Sequence, residues 1–165
     1  MNIDFFKRLA TFVALLLVQG LVLNNIHLFN CATPMLPVIL VLHFRRNFPR
    51  WAMLMWAFML GLCVDVFANT PGVAAASMTA VAFIQPYFLQ LFLSRDSADD
   101  LVPSMRTIGF GSYFWYVFVL VLIYCLLFFT LETFNFFNWQ QWLECVGGSF
   151  ALSFVLIMAI ENFRK

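Results

Sequence analysis

Along the chain, apolar residues gather into six stretches separated by short polar breaks: Leu9 to about Phe29, about Thr33 to Phe44, Trp51 to Ala68, Pro71 to Leu93, about Thr107 to Leu131, and about Gln141 to Phe163. A helix that crosses a bilayer needs roughly 20 mostly apolar residues, and most of these stretches approach or exceed that length. The second is short and carries Pro34 and Pro37, so its pattern also fits a re-entrant or interfacial segment. Basic residues decide between the readings. The nine Lys and Arg are Lys7, Arg8, Arg45, Arg46, Arg50, Arg95, Arg106, Arg164 and Lys165. With six spans and a cytoplasmic N-terminus, all of them fall on the cytoplasmic side, where short loops favour Lys and Arg. The outer loops near Asn30, Asn69 and residues 134–140 then carry none. If the second stretch did not cross, the later basic groups would lie outside while Lys7 and Arg8 stayed in. The pattern therefore predicts an all-α membrane protein of six transmembrane helices with both termini cytoplasmic. Residues 1–165 form one polytopic domain.

Composition sharpens the class. The chain is 64% hydrophobic and 10% charged, with a mean hydropathy of +0.91. Soluble domains run near half apolar and about a quarter charged, so the solvent of this chain is lipid. The net charge of +1 gives no footing for a nucleic-acid partner. Lys7 and Arg8 before "LATFVALLLVQGLVL" resemble a secretory leader, yet no small-x-small cleavage site follows. Asn30 stands before Cys31 where a lipoprotein would have a small residue. The first stretch is read as an uncleaved span. Cys31, Cys63, Cys125 and Cys145 show neither CxxC pairing nor metal-ligand spacing, and His27 and His43 fall on opposite sides. No nucleophile motif or phosphate loop is present. The expectation is a protein that is not an enzyme and has no cofactor or metal.

Against this background "GLCVDVFANTPG", residues 61–72, places a carboxylate inside an apolar run. An ionisable residue within a span is costly and points to a role. Asp65 lies near the outer end of the third stretch, shallow enough for water to reach it. The helix that follows opens with free backbone N–H groups. Asn69 or Thr70 is its expected cap, and Pro71 suits its first turn. The reading is that Asp65 closes the corner between the third and fourth stretches and tolerates a neutral replacement. A proton or substrate relay would want further buried acids. Glu144 sits at a helix start, and Glu161 is expected to pair with Arg164 or Lys165.

Small residues mark expected helix seams: Ala57, Gly61 and Asp65 on the third stretch; Gly72, Ala76 and Ala80 on the fourth; Gly147, Ala151, Ser149 and Ser153 on the sixth. The Phe-rich faces, Phe5, Phe6 and Phe114 to Phe129, are expected toward lipid. The outer loop "LETFNFFNWQQWLE" places Phe134, Phe136, Phe137, Trp139 and Trp142 at the boundary. That is an interfacial belt, compatible with a surface that receives an extracytoplasmic partner. The loop "SRDSADDLVPSMR", residues 94–106, reads as a solvated turn or a docking point for a cytoplasmic partner.

The stretch "GLCVDVFANTPGVAAASMTAVA", residues 61–82, resembles the signature region of the rod shape-determining protein MreD family. Gly61, Asp65 and Gly72 match that pattern; Asn69 and Pro71 stand where members often carry an additional Gly. The resemblance implies a non-enzymatic subunit of the bacterial inner (cytoplasmic) membrane that serves the cell-wall elongation complex. It implies an MreC-like membrane scaffold as partner and, through it, MreB, RodA and penicillin-binding protein 2. The implied six-helix fold is similar to the substrate-binding subunits of energy-coupling-factor transporters. The alternative is a small-molecule-binding subunit of a vitamin transporter with that fold. Its outward cavity would be lined by Asn24, Asn25, His27, Asp65, Asn69 and Glu144. A proton-coupled carrier is disfavoured for want of a second buried acid.

Overall fold

A computed structural model describes residues 2–22, 35–45, 48–92, 102–133 and 139–163. The elements are α1 (Asn2–Leu17), running into a π-helical turn (Val18–Val22), α2 (Val38–Leu42), α3 (Arg50–Ala68), α4 (Val73–Phe92), α5 (Met105–Ile108), α6 (Phe110–Thr133) and α7 (Trp139–Phe163). Residues Arg50–Ala68, Val73–Phe92, Phe110–Thr133 and Trp142–Phe163 are long and apolar enough to cross a membrane, and Leu9–Gly20 forms a shorter apolar helix. At 1.5 Å per residue, the shortest of the four, with 19 residues, extends about 28 Å, close to a bilayer's hydrocarbon thickness. The protein is an all-α, multi-pass membrane protein.

The helices break where the sequence supplies a reason. Pro49 precedes α3, and Asn69 ends it in the left-handed region with φ 56°. Gly109, at φ +87°, separates α5 from α6, so the fifth stretch becomes a short turn and a 24-residue helix. The first stretch continues through its π-helical turn to Val22; residues 23–29 lie outside the described residues.

The four long helices pack in the order α3, α4, α6, α7, with α1 against α3. Here α2 departs from the expected spanning helix. Its helical part has five residues, far below membrane length, and it sits inside the bundle against α1, α3, α4 and α6. Met35 to Leu42 are all buried. Irregular backbone at membrane depth is tolerated where protein surrounds it and its polar groups are satisfied. Both conditions are met. Ser153 Oγ of α7 accepts the Met35 N–H at 2.8 Å, and Gln19 Oε1 accepts the Leu36 N–H at 3.2 Å. Pro37, at the helix's N-cap, has no N–H to satisfy.

Large side chains fill the centre. Tyr113, Tyr116, Tyr124, Leu60, Met78 and Leu120 are fully buried. The aromatic face of α6 is not given over to lipid. Phe114 meets Phe154, and Phe118 meets Phe150, each edge-to-face at 5.0 Å, the geometry that ring quadrupoles favour. Phe128 and Phe129 are buried. Lipid instead meets Val66, Leu91 and Phe163, all more than three-quarters exposed, as well as Phe6 and Trp51.

Candidate functional site

The corner between α3 and α4 gathers Gly61, Asp65, Asn69, Pro71 and Gly72 into one unit. It begins with a left-handed residue. Asn69 allows α3 to stop, and the Thr70 N–H donates to the Asp65 carbonyl at 3.2 Å. Gly72 has φ +84° and redirects the chain, so α4 starts at Val73. Pro71 therefore lies in the turn, ahead of the first helical turn expected for it.

The cap of α4 comes from the preceding helix. Asp65 Oδ1 accepts the Ala74 N–H at 2.8 Å and the Thr70 hydroxyl at 3.0 Å, and Oδ2 accepts the Ala75 N–H at 2.9 Å. Asn69 and Thr70, the caps expected from the sequence, do not fill that role; Thr70 supports the carboxylate instead. A carboxylate at a helix N-terminus takes orphan donors and meets the positive end of the helix dipole. Asp65 is also deeper than its position in the sequence suggested. It is 4% exposed, so backbone N–H groups rather than water solvate it.

Gly61 lies one turn earlier on the same buried stripe as Ala57 and Asp65. A Cβ at position 61 would stand 2.4 Å from Ala75 Cα and 2.7 Å from Ala75 N. The backbones of α3 and α4 therefore touch, and Ala75 receives both contacts. On α4 the seam differs from the expected one: Gly72 and Ala76 are exposed, while Ala74, Ala75, Met78, Val81 and Ala82 are buried. On α7, Ser149 and Ser153 are buried, but Gly147 and Ala151 are exposed.

The two corner glycines serve different ends, which mutation separates. Nothing lies within 4 Å of a Cβ at Gly72, so only its positive φ resists substitution. Gly72→Ala is expected to destabilise by about 1 kcal/mol, read as a small shift in an unfolding titration in mixed micelles, with the membrane-inserted form retained.

Polar residues tie the inner segment to its neighbours, among them Gln85 and Tyr116, to which the sequence analysis gave no role. Gln85 Nε2 donates to the Tyr116 hydroxyl at 2.8 Å, and that hydroxyl donates to the Leu42 carbonyl at 3.4 Å. This chain links α4, α6 and α2. His43 Nδ1 lies 2.9 Å from the Ile39 carbonyl, and Nε2 lies 2.9 Å from Glu161 Oε2. A carbonyl cannot donate, so Nδ1 carries a proton, and the Nε2–Oε2 contact holds a second. Glu161 thus pairs with His43; Arg164 and Lys165, its expected partners, lie outside the described residues. Gln19 and Gln85, amides within apolar runs, were the available signal. Tyr116→Phe removes the shared hydroxyl and leaves the Gln85 amide and the Leu42 carbonyl without it. The expected cost is about 2 kcal/mol, measured by the same titration, with Gln85→Leu in the Tyr116→Phe background recovering part of it.

The outer aromatic residues divide. Trp139 is exposed, but Trp142 turns inward against the core, and its indole Nε1 is buried without a hydrogen-bond partner among the described residues. Phe134, Phe136 and Phe137 lie outside the described residues, as do Asn24, Asn25, His27 and most of the loop from residue 94. Glu144 is exposed on the second turn of α7.

The fold and this corner define an all-α, multi-pass membrane protein whose buried acid holds two helices together. Comparison with models of known protein families, with curated protein sequences and with solved structures gives no match.

Proposed function

We propose that the protein is a non-enzymatic scaffold subunit of a bacterial cell-wall elongation (rod-shape) complex. In this reading it crosses the inner membrane six times with both termini cytoplasmic, the second crossing being the broken segment around α2 rather than a full helix, and it binds an MreC-like membrane scaffold. Through that partner it would act with MreB, RodA and penicillin-binding protein 2. The observation that carries the reading is the corner itself. Gly61, Asp65 and Gly72, the residues on which the resemblance to the MreD family rests, meet in one corner, each with its own part in it. Gly61 brings α3 and α4 into backbone contact, Asp65 caps α4, and Gly72 turns the chain between them. Among the described residues the carboxylate's bonds are all to this corner's own donors, which suits a structural acid better than a relay. The resulting hairpin presents Met55, Phe58, Met59, Leu62 and Val66 outward, an apolar flank suited to lateral contact with another membrane helix. Trp139 would join Phe134, Phe136 and Phe137 in the extracytoplasmic contact, without Trp142.

Depletion tests this. Rounding or swelling of cells, reversed by the intact gene, is expected, together with co-purification of an MreC-like protein. Unchanged shape on depletion, with no such partner captured, would overturn the proposal and make vitamin uptake the next assay.

A further inference from the structure

At the end of the bundle opposite the Asp65 corner lies a cavity of about 440 Å³, between the chain leaving α2, the start of α3 and the second half of α4. Its volume falls in the range of small-molecule sites. Arg45 and Arg50 bring two positive charges to its lining, Gln85 and Gln90 bring amides, Met53 and Leu89 bring apolar surface, and none of the described lining residues is a carboxylate. We propose that this cavity binds the phosphate of an anionic glycerophospholipid, with Arg45 and Arg50 on the phosphate oxygens and the glycerol end against Met53 and Leu89.

Arginine's planar fork matches phosphate oxygens and is weakly hydrated, so it favours such pairs at an interface. Arg50 is held for the purpose. One of its terminal nitrogens donates to the Tyr87 hydroxyl at 3.4 Å, and its guanidinium lies over the Tyr87 ring, 5.4 Å from the centroid. That contact uses one of five N–H donors and fixes the side chain at the rim. Pro49 gives α3 no side-chain cap, so the positive end of the helix adds to the same field. The surroundings select the source of the phosphate. Trp51 and Leu91, which flank the cavity in sequence, are 69% and 77% exposed and face the bilayer in a multi-pass protein. A Trp beside Arg at a helix end is the pattern of the headgroup level. The assignment does not depend on which assembly the protein serves.

The test uses the full chain purified in detergent with equal amounts of phosphatidylglycerol and phosphatidylcholine, with retained lipid counted by native mass spectrometry. Phosphatidylglycerol is expected to be retained several-fold over phosphatidylcholine. Arg45→Gln and Arg50→Gln are each expected to cut its retention about tenfold, the change that follows from losing one charge-assisted contact. Gln90→Trp, at an exposed position on the lining, keeps both charges and narrows the cavity. It is expected to lose phosphatidylglycerol too, and it decides the matter if the arginine variants do not fold. Equal retention of the two lipids, or retention unchanged in the variants, overturns the proposal. Inorganic phosphate displacing phosphatidylglycerol at millimolar concentration, and stabilising the protein as much, would assign the site to soluble phosphate and overturn the lipid assignment.

Discussion

Gly61→Val is expected to give the most damaged single variant of this protein, with α3 and α4 forced apart along their seam. The atoms in the way are backbone atoms of another helix. Even an alanine Cβ at position 61 would stand 2.4 Å from Ala75 Cα and 2.8 Å from the Ala74 carbonyl oxygen, and neither can rotate away. Relief requires moving α4 bodily. That movement also pulls the Ala74 and Ala75 N–H groups off Asp65, since both contacts run through the same two residues. Overpacking of a tight core costs about 1–3 kcal/mol and occasionally more. Gly61→Ala is placed at the top of that range and Gly61→Val beyond it. In a membrane the penalty is not offset by a hydrophobic drive to keep the helices together, because lipid solvates a separated helix as well as protein does. Unfolding in mixed micelles, followed by tryptophan fluorescence, measures it. A double-mutant cycle with Asp65→Ala should show strong non-additivity, as expected for residues sharing a partner. A Gly61→Val variant within about 0.5 kcal/mol of the parent would mean that the two backbones do not touch.

How much of this was legible in the sequence follows from what lipid does to hydrophobic patterning. The bodies of α3, α4, α6 and α7 stood out as long apolar runs, and the stripe Ala57, Gly61, Asp65 marked the inner face of α3 because an acid is costly against hydrocarbon. The inner face of α4 was not legible. Gly72, Ala76 and Ala80 formed an equally good stripe, but Gly72 belongs to the turn, and the helix frame starts at Val73. Ala74 and Ala75 face inward because Asp65 takes their N–H groups. Both faces of α4 are apolar, so hydropathy did not choose between them. The same ambiguity hid the packing of Phe114 and Phe118 on α7, since a phenyl ring suits lipid and protein equally well. The inner segment was ambiguous for a different reason. Pro34 and Pro37 signalled a broken helix, but the groups that satisfy its backbone lie 17 and 118 residues away. No local pattern reports such partners, and the His43–Glu161 pair, also 118 residues apart, was hidden in the same way.

The acid at position 65 is expected to be less replaceable than its sequence context suggested. Read from the sequence, asparagine could accept the turn's hydrogen bonds and stand in for aspartate. The geometry removes that option, because the described groups bonded to the carboxylate are all donors: the Thr70 hydroxyl on Oδ1, the Ala74 N–H on Oδ1 and the Ala75 N–H on Oδ2. An asparagine has one acceptor oxygen, and its NH2 group would have to face a backbone N–H. Either orientation leaves at least one buried donor against another donor. The threonine hydroxyl can rotate away, but the two backbone groups cannot. A buried donor left unsatisfied costs about 1–3 kcal/mol, so Asp65→Asn is expected to lose about 2 kcal/mol and Asp65→Ala about 4. Asp65→Glu keeps the acceptors but displaces them by a methylene into the space where the helices touch, and it should rescue only in part. These three variants, compared by unfolding in mixed micelles and by their ability to restore cell shape, separate stability from charge. If shape rescue falls in step with stability, the carboxylate acts by holding the corner. If Asp65→Asn is as stable as the parent yet fails to restore shape, the charge itself is required, and the structural assignment of the acid fails.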